Sequence, residues 1–366
     1  MESTGKSATV TEQQEAGRPL AGETLEHWAA SILRNAGASA DAAASTARAL
    51  VGANQRGLDS HGVVFLDFYL RRLRAGTTIG AAEPEILVDL PSLALVDGHD
   101  GLGAHIATFA MELCCRKASQ SGAGVVVVRN SSHFGAASCY SELAAKLGCV
   151  GIAMSNSDPG MAPLGAFGPV LGTNPLAIAA PAATGCDLPS LDIATSVVAQ
   201  GRIIVASRDG STIPGDWAIG RDGKPTEDPV EALAGSVLPM SGHKGFALAF
   251  MIDVLTGCLP GASVSPDIPG DPNSPNPQGT GHCFIAINVA AVRSRAEYEQ
   301  SLARLAEAVH GAARAPWVEP FMTPGEREAR AAQARQSSIP LSPSTVELLT
   351  SLGQEFGVPF RAQPHV

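Results

Sequence analysis

Five short segments of this 366-residue chain carry titratable or hydrogen-bonding side chains, four of them beside glycine or proline, where a small molecule can approach the backbone. The first is Asp59-Ser60-His61-Gly62. An imidazole next to a hydroxyl, with a carboxylate two positions before it, suits proton transfer near neutral pH. A capping or core histidine is the competing reading. On the tetrapeptide alone it is the commoner one, because adjacent residues do not face one another in regular structure. The second is Asn130-Ser131-Ser132-His133-Phe134-Gly135, directly after the apolar run Gly124–Val128. The carboxyl end of a parallel strand is where α/β proteins place ligands, so function and packing weigh evenly there.

The third pairs Ser155-Asn156-Ser157-Asp158-Pro159 with Gly172-Thr173-Asn174-Pro175. Turn chemistry explains the Asp-Pro and Asn-Pro steps without any function, although Ser157 at a strand end can hold a ribose or phosphate oxygen. The fourth, Leu191-Asp192-Ile193-Ala194-Thr195-Ser196, puts an acid between apolar neighbours. Such an acid is buried with a partner, the commoner case, or it faces a site. The fifth, Gly242-His243-Lys244-Gly245, opens an apolar helix. Free backbone N–H groups and a positive charge at a helix start make an anion site, and a lysine there opposes the helix dipole, which favours function over chance.

Other chemistries find no support. Gly101-Leu102-Gly103 lies between a predicted strand and a helix, but Ile106 stands where a dinucleotide fingerprint needs its third glycine. No P-loop, H-E-x-x-H, C-x-x-C or G-x-S-x-G pattern occurs.

The elements that must position these residues follow from periodicity. Leu25, Trp28, Ala29, Ile32 and Leu33 recur at helical spacing, and a second, Ala-rich helix runs from about Asp41 to Asn54, with Gly37 and Ser39 as stop and cap. Strands are predicted at Leu93–Val96, Gly124–Val128 and Val150–Met154, alternating with helices at Ala104–Ala118 and Ala136–Leu147. That alternation predicts α/β crossovers. Phe246–Leu255 is apolar enough to be read as a buried helix. Residues 258–281 hold six prolines and are expected to form an irregular, mobile loop. Ser342-Pro343 reads as a helix start in a helical C-terminal part.

Hydrophobic residues make up 45% of the chain and charged residues 16%, a globular composition. A net charge of −10 lacks the positive field that nucleic acid or an anionic membrane would require. Seven scattered cysteines read as reduced thiols. Residues 1–22 are polar and read as a disordered leader without a secretory core, and no apolar run approaches the ~20 residues of a spanning helix. The expectation is a soluble, cytoplasmic protein.

Taken in order, these segments resemble the malate/L-lactate dehydrogenase family of the non-Rossmann type. The resemblance runs through Arg56 to Gly62, Asp100 to Gly103, Ser131 to Gly135, Gly172 to Pro175, Asp192 to Ser196, Ile213-Pro214 with Trp217, Leu238-Pro239-Met240, Gly242 to Gly245 and Pro324-Gly325-Glu326. It covers roughly Leu25 to Glu328. It implies a homodimer that binds NAD or NADP in a family-specific, non-Rossmann α/β fold and transfers a hydride between the cofactor and a small 2-oxo acid or 2-hydroxy acid. On this reading residues 1–22 are a leader and 23–90 a helical region with the catalytic histidine. Residues 91–290 form the cofactor-binding α/β region, and 291–366 a helical segment that completes the site. The resemblance implies His61 as proton donor with Ser60 beside it, and His133 as the alternative acid–base. It implies cofactor contacts at Ser157, Asp192, Ile193, Ala194, Lys244, Gly325, Glu326 and Arg327. No metal is implied. The apolar face of the N-terminal helices is expected to serve the dimer.

One position departs from the family. Many members have an arginine four residues after the His61 equivalent, suited to a carboxylate, and here Phe65 stands there. Arg71, Arg72 or a partner-subunit residue is expected to compensate, or the substrate differs from malate and lactate. Two rival readings remain: reduction of a cyclic imine 2-carboxylate, and an inactive ligand-binding dimer. Retention of His61, His133, Asp192 and Lys244 argues against the second.

Overall fold

A computed structural model describes residues 20–360. The expected leader lies outside the described residues up to position 19. From Leu20 the chain is built in, since Leu20 is buried and bridges to Ile339. Helices α1 (Gly22–Asn35) and α2 (Ala40–Gln55) form where the apolar spacing predicts, and the Ser39 side chain caps α2 by accepting the Ala42 N–H. Two 3₁₀ turns, Asp59–His61 and Val63–Phe65, lead into α3 (Leu66–Ala75), which ends at Gly76 in the left-handed region.

Next come β1 (Glu85–Asp89), β2 (Leu93–Asp97), α4 (Gly103–Ser121), β3 (Ala123–Ser131), α5 (Ser138–Lys146), β4 (Cys149–Ser155), β5 (Leu176–Ala179) and β6 (Ser190–Ile193). A smaller lobe holds α6 (Gln200–Asp209), β7 (Ala218–Ile219), α7 (Pro229–Ala234) and β8 (Ser236–Val237) around Met161, Val198, Ile203 and Ile213. The chain continues through α8 (His243–Asp253), β9 (Thr280–Asn288), α9 (Val289–Val292), α10 (Arg295–His310), α11 (Glu326–Ala334) and α12 (Pro343–Glu355). The Ser342 side chain caps α12, as its sequence predicts.

The main sheet has the order β1-β2-β3-β9-β4-β5-β6. Only β2 and β3 pair in parallel; the other pairs are antiparallel. The crossover expected from the strand–helix alternation is present in β2-α4-β3, within a sheet that is otherwise antiparallel. Strands β3 and β4, joined through α5, do run in the same direction. The late strand β9 lies between them, antiparallel to both, with Phe284 opposite Val126 on one side and Ala153 on the other.

The two faces of this sheet are covered unequally. Val126, Val128, Ala153, Phe284 and Ala286 are buried under α4 and α5. On the other face Val127, Met154 and Cys283 pack on Ile252 of α8, while Leu95, Val125, Ile152, Leu176 and Ile285 stay half-buried. The expectation that α8 is buried all round fails here. Ala249 and Ile252 face the protein, but Phe250 and Met251 are 53% and 52% exposed.

The N-terminal layer is also used differently from expectation. Leu25, Ile32, Leu33 and Leu50 pack with Ile339, Leu341, Leu349 and Leu352 of the chain's own C-terminal part. Its apolar face is therefore already consumed within the subunit. The proline-rich stretch is irregular as predicted, but it is tied down rather than loose. Buried Arg72 donates to the carbonyls of Asp271 (3.1 Å) and Asn276 (2.8 Å), Asn156 donates to the Ser263 carbonyl (2.7 Å), and Asp253 accepts the Ser265 N–H (3.0 Å).

Candidate active site

His61 is fixed by the end of α2. Buried Asn54 accepts the Val63 N–H (2.8 Å) and donates to the Asp59 carboxylate (2.7 Å), so one amide staples both ends of the turn that carries His61. Gly62 is required because the Asn54 amide occupies the space a Cβ would fill. Arg335, just past α11, also donates to Asp59 (2.8 Å). Asp59 is thus a positioning group, while Ser60 Oγ lies 3.1 Å from His61 Nδ1 and leaves Nε2 for a reacting atom.

His133 follows β3. Ser132 Oγ accepts the Gly103 N–H and donates to the Gly101 carbonyl, both at 2.9 Å. A Cβ on Gly103 would collide with the Ser132 carbonyl and lie 2.5 Å from that of His133. The G-x-G pair rejected as a dinucleotide fingerprint is therefore the seat of the His133 loop. The His133 N–H donates to Gln278 (3.0 Å), and the Tyr69 hydroxyl sits 2.8 Å from His133 Nδ1. Burial raises the Tyr69 pKa, with the nearby Cys139 adding to it, so this hydroxyl stays protonated; with no acceptor other than His133 Nδ1 among the described residues, it donates there. His133 then carries its own proton on Nε2.

The two imidazoles lie 6.2 Å apart between ring centres, nearly parallel, with Phe65 stacked 4.8 Å from His133 and 5.9 Å from His61. Their electrostatics differ. Burial lowers the His61 pKa, but the Asp192 carboxylate opposes that and favours the protonated ring. Burial lowers the His133 pKa to about 3, with the charges of His61 and His282 adding to the effect and no carboxylate opposing it, so His133 stays neutral. Asp192 itself accepts the Ser138 N–H at 2.8 Å, which aims it from β6 toward the start of α5. Beneath lies fully buried His282. Ser155 Oγ donates to the Asn156 and Gly281 carbonyls, hence accepts from His282 Nδ1, and Ser131 donates to His282 Nε2. The Phe134 ring stacks on it at 4.6 Å.

The expected cofactor residues gather around β6. A Cβ on Gly245 would lie 2.5 Å from the Thr195 carbonyl, so the start of α8, with exposed Lys244, abuts the segment after Ile193-Ala194. Gly325, with a φ of 96°, packs its turn against the N–H of Ser190 and the carbonyl of Leu188. Ile193, Ala194 and Ser157 are half-buried at strand ends, and Arg327 is exposed. Glu326 is turned inward, its carboxylate taken by His310 (2.6 Å) and Thr323 (2.7 Å). The Gly242 and Gly245 N–H groups donate to the carbonyls of Pro239 and Met240, so it is the exposed Lys244 ammonium and the N–H groups of His243 and Lys244 at the opening of α8 that fit a pyrophosphate. Among the described residues no cluster of three or more candidate metal ligands occurs, and no helix is long and apolar enough to cross a membrane.

Neither arginine expected to replace the missing one is free to do so. Arg72 is fully buried on loop carbonyls, as described above. Arg71 pairs with Asp67 (2.9 Å) and lines a hollow of about 480 Å³ with Arg74, Asn273 and Glu355, on a different face of α3 from Tyr69. Sequence reasoning missed Tyr69, Gln278, His282 and Asn54 as site-builders. Tyr69 is one of three tyrosines in the chain, placed where an amphipathic helix turns inward; that was the available signal.

The chain matches the malate/L-lactate dehydrogenase family over residues 20–350. It is 35% identical over 328 residues to the L-sulfolactate dehydrogenase of Methanocaldococcus jannaschii, covering 89% of this chain and 94% of that protein. It is 34% identical over 313 residues to the NAD(+) ureidoglycolate dehydrogenase of Escherichia coli K12, covering 83% and 86%. It is 39% identical over 217 residues to the NADP(+) (2R)-3-sulfolactate dehydrogenase of Chromohalobacter salexigens, covering 59% and 65%. Among solved structures, the malate dehydrogenase of Entamoeba histolytica superposes with a TM-score of 0.90 at 30% identity, over 94% of this chain and 99% of that one. The delta1-piperideine-2-carboxylate reductase of Pseudomonas syringae pvar. tomato gives 0.81 at 29%, over 92% and 100%.

Proposed function

Because this chain belongs to the malate/L-lactate dehydrogenase family and sets two histidines with different charged neighbours side by side, we propose that it interconverts a small 2-hydroxy acid and its 2-oxo acid with NAD or NADP. The observation that carries the reading is the contrast between His61, whose proton Asp192 favours, and His133, held neutral under aromatic rings. A nicotinamide cofactor, when bound, supplies the hydride. His61 gives its proton to the developing alkoxide in the reductive direction and takes it back in the oxidative one. His133 donates a hydrogen bond from Nε2 and keeps the oxygen in place. Lys244, Ser157, Ile193, Ala194 and the turn at Gly325 and Arg327 would hold the cofactor, with Glu326 fixing that turn. The likeness to a piperideine-carboxylate reductase supports the same machinery acting on a C=N bond.

Two finer points belong to this reading. A homodimer is supported by the half-covered sheet face and the exposed Phe250 and Met251 of α8, not by the N-terminal helices. A cytoplasmic setting accords with seven free thiols, four of them buried.

The test separates the histidines. His61→Gln should lower turnover ~10²–10⁴-fold with cofactor affinity nearly intact. It should also abolish a pH limb in which reduction declines as the pH rises through a His61 pKa below 6.5. His133→Gln should cost mainly in KM and leave that limb in place. A His61→Gln enzyme with near-normal turnover overturns the assignment.

A further inference from the structure

We propose that the substrate carries an uncharged, apolar group, flat or branched, beyond its oxo or imino carbon, and that Phe65 selects for it; the inference rests on the oxidoreductase reading above. The Phe65 ring is half-buried and lies nearly parallel to both imidazoles, at 12° to His133 and 13° to His61. Phe68 meets His133 edge-on at 6.1 Å, and Tyr69 completes the wall. A group attached next to a carbon held at the two imidazoles meets aromatic carbon on the Phe65 side.

All but one of the arginines near this wall are already committed. Arg72 is spent on the carbonyls of Asp271 and Asn276, and Arg71 on Asp67. Arg56, at the end of α2, is paired with Glu142, and Arg335 with Asp59. Arg202 is exposed on α6, one residue after the Gly201 that abuts Ser60, and is available to a single carboxylate. A second anionic group, as in a dicarboxylate or a sulfonated acid, would lose its water against the electron-rich face of Phe65. An apolar group in the same place gains buried contact area and, if planar, a stacking partner.

Steady-state oxidation of NADH and NADPH by the full chain tests this with four 2-oxo acids: phenylpyruvate, a branched-chain 2-oxo acid, oxaloacetate and sulfopyruvate. The expected kcat/KM for the two apolar substrates exceeds that for the two dianions ~10–200-fold. Phe65→Arg should invert that order, whereas Phe65→Leu should keep the branched substrate, weaken the aromatic one and gain nothing for dianions. A wild-type preference for oxaloacetate or sulfopyruvate overturns the inference and leaves the oxidoreductase reading standing. An unchanged ratio in a folded Phe65→Arg enzyme also overturns it. If that variant does not fold, the wild-type ratio decides alone. Binding of a reduced cofactor without turnover of any of the four, or of a cyclic imine carboxylate, removes the oxidoreductase reading and the inference with it.

Discussion

His61, His133 and His282 are one side chain in three surroundings, and what each can do follows from what surrounds it. His61 has a carboxylate within electrostatic reach, His133 has a phenol and two phenyl rings, and His282 has two serine hydroxyls and no access to water. The third case has a consequence for stability. Burial pushes the His282 pKa from its ordinary 6.5 down to about 3. In the unfolded chain the ring binds a proton below about 6.5, while in the folded protein it does so only near 3. The stability this group contributes is therefore fully present above 6.5 and is withdrawn as the pH falls toward 3, on the order of several kcal/mol for one group. Urea unfolding across this window should show a midpoint that falls steeply with acid, and His282→Gln should flatten the fall. Equal slopes in the two proteins would contradict the argument. The sequence announced His61 and His133 through the hydroxyls and glycines beside them. Thr280 and Gly281 stand beside His282 too, but the serines that hold its ring, Ser131 and Ser155, come from two other strands, which no local pattern shows.

At the scale of elements, α4 is the part whose placement the histidine depends on. Gly103 lets its first turn touch the backbone of Ser132 and His133, and any side chain there must push the two apart. Gly103→Ala should leave a folded protein destabilised by about 1–3 kcal/mol. Its KM for the 2-oxo acid should rise while cofactor affinity stays nearly intact, because the shift lands on the His133 loop. Thermal melting, calorimetry and kinetics on the one variant check this; unaltered kinetics would mean that the loop is not seated by α4. Most helices and strands were legible because periodicity is local. Strand β9 was not: no strand is predicted over residues 280–288, and nothing local to them says which strands they part. The tethering of the proline-rich loop was hidden for a related reason: Arg72 reads as a helix-surface charge until α3 is seen to turn it inward.

For the molecule as a whole, unequal cover on the two sheet faces is the dominant fact. Helix α10 has no fully buried residue in one subunit, and Phe250, Met251 and Leu259 lie open on and just after α8. Apolar surface of this kind is what an isologous partner removes from water. Sedimentation should give about twice the 37.4 kDa of one chain. Phe250→Glu combined with Met251→Glu should shift it to the monomer, while charges placed on exposed positions of α1 should not. A wild-type monomer, or a dimer indifferent to both glutamates, would contradict the assignment.

The central position of β9 also bears on how the protein is made. It is the last strand of the main sheet to leave the ribosome, yet it is the one that joins β3 to β4. Until residue 288 has emerged, the nascent chain holds two half-sheets whose apolar inner edges have no partner. Co-translational folding can complete the N-terminal helices only in part, because they too wait for Ile339 and Leu349. From residue 131 to residue 288 the chain is thus made with an exposed inner strand edge, the condition in which newly made proteins depend on chaperones. Slowing translation just before β9 should lengthen that exposure rather than help the fold.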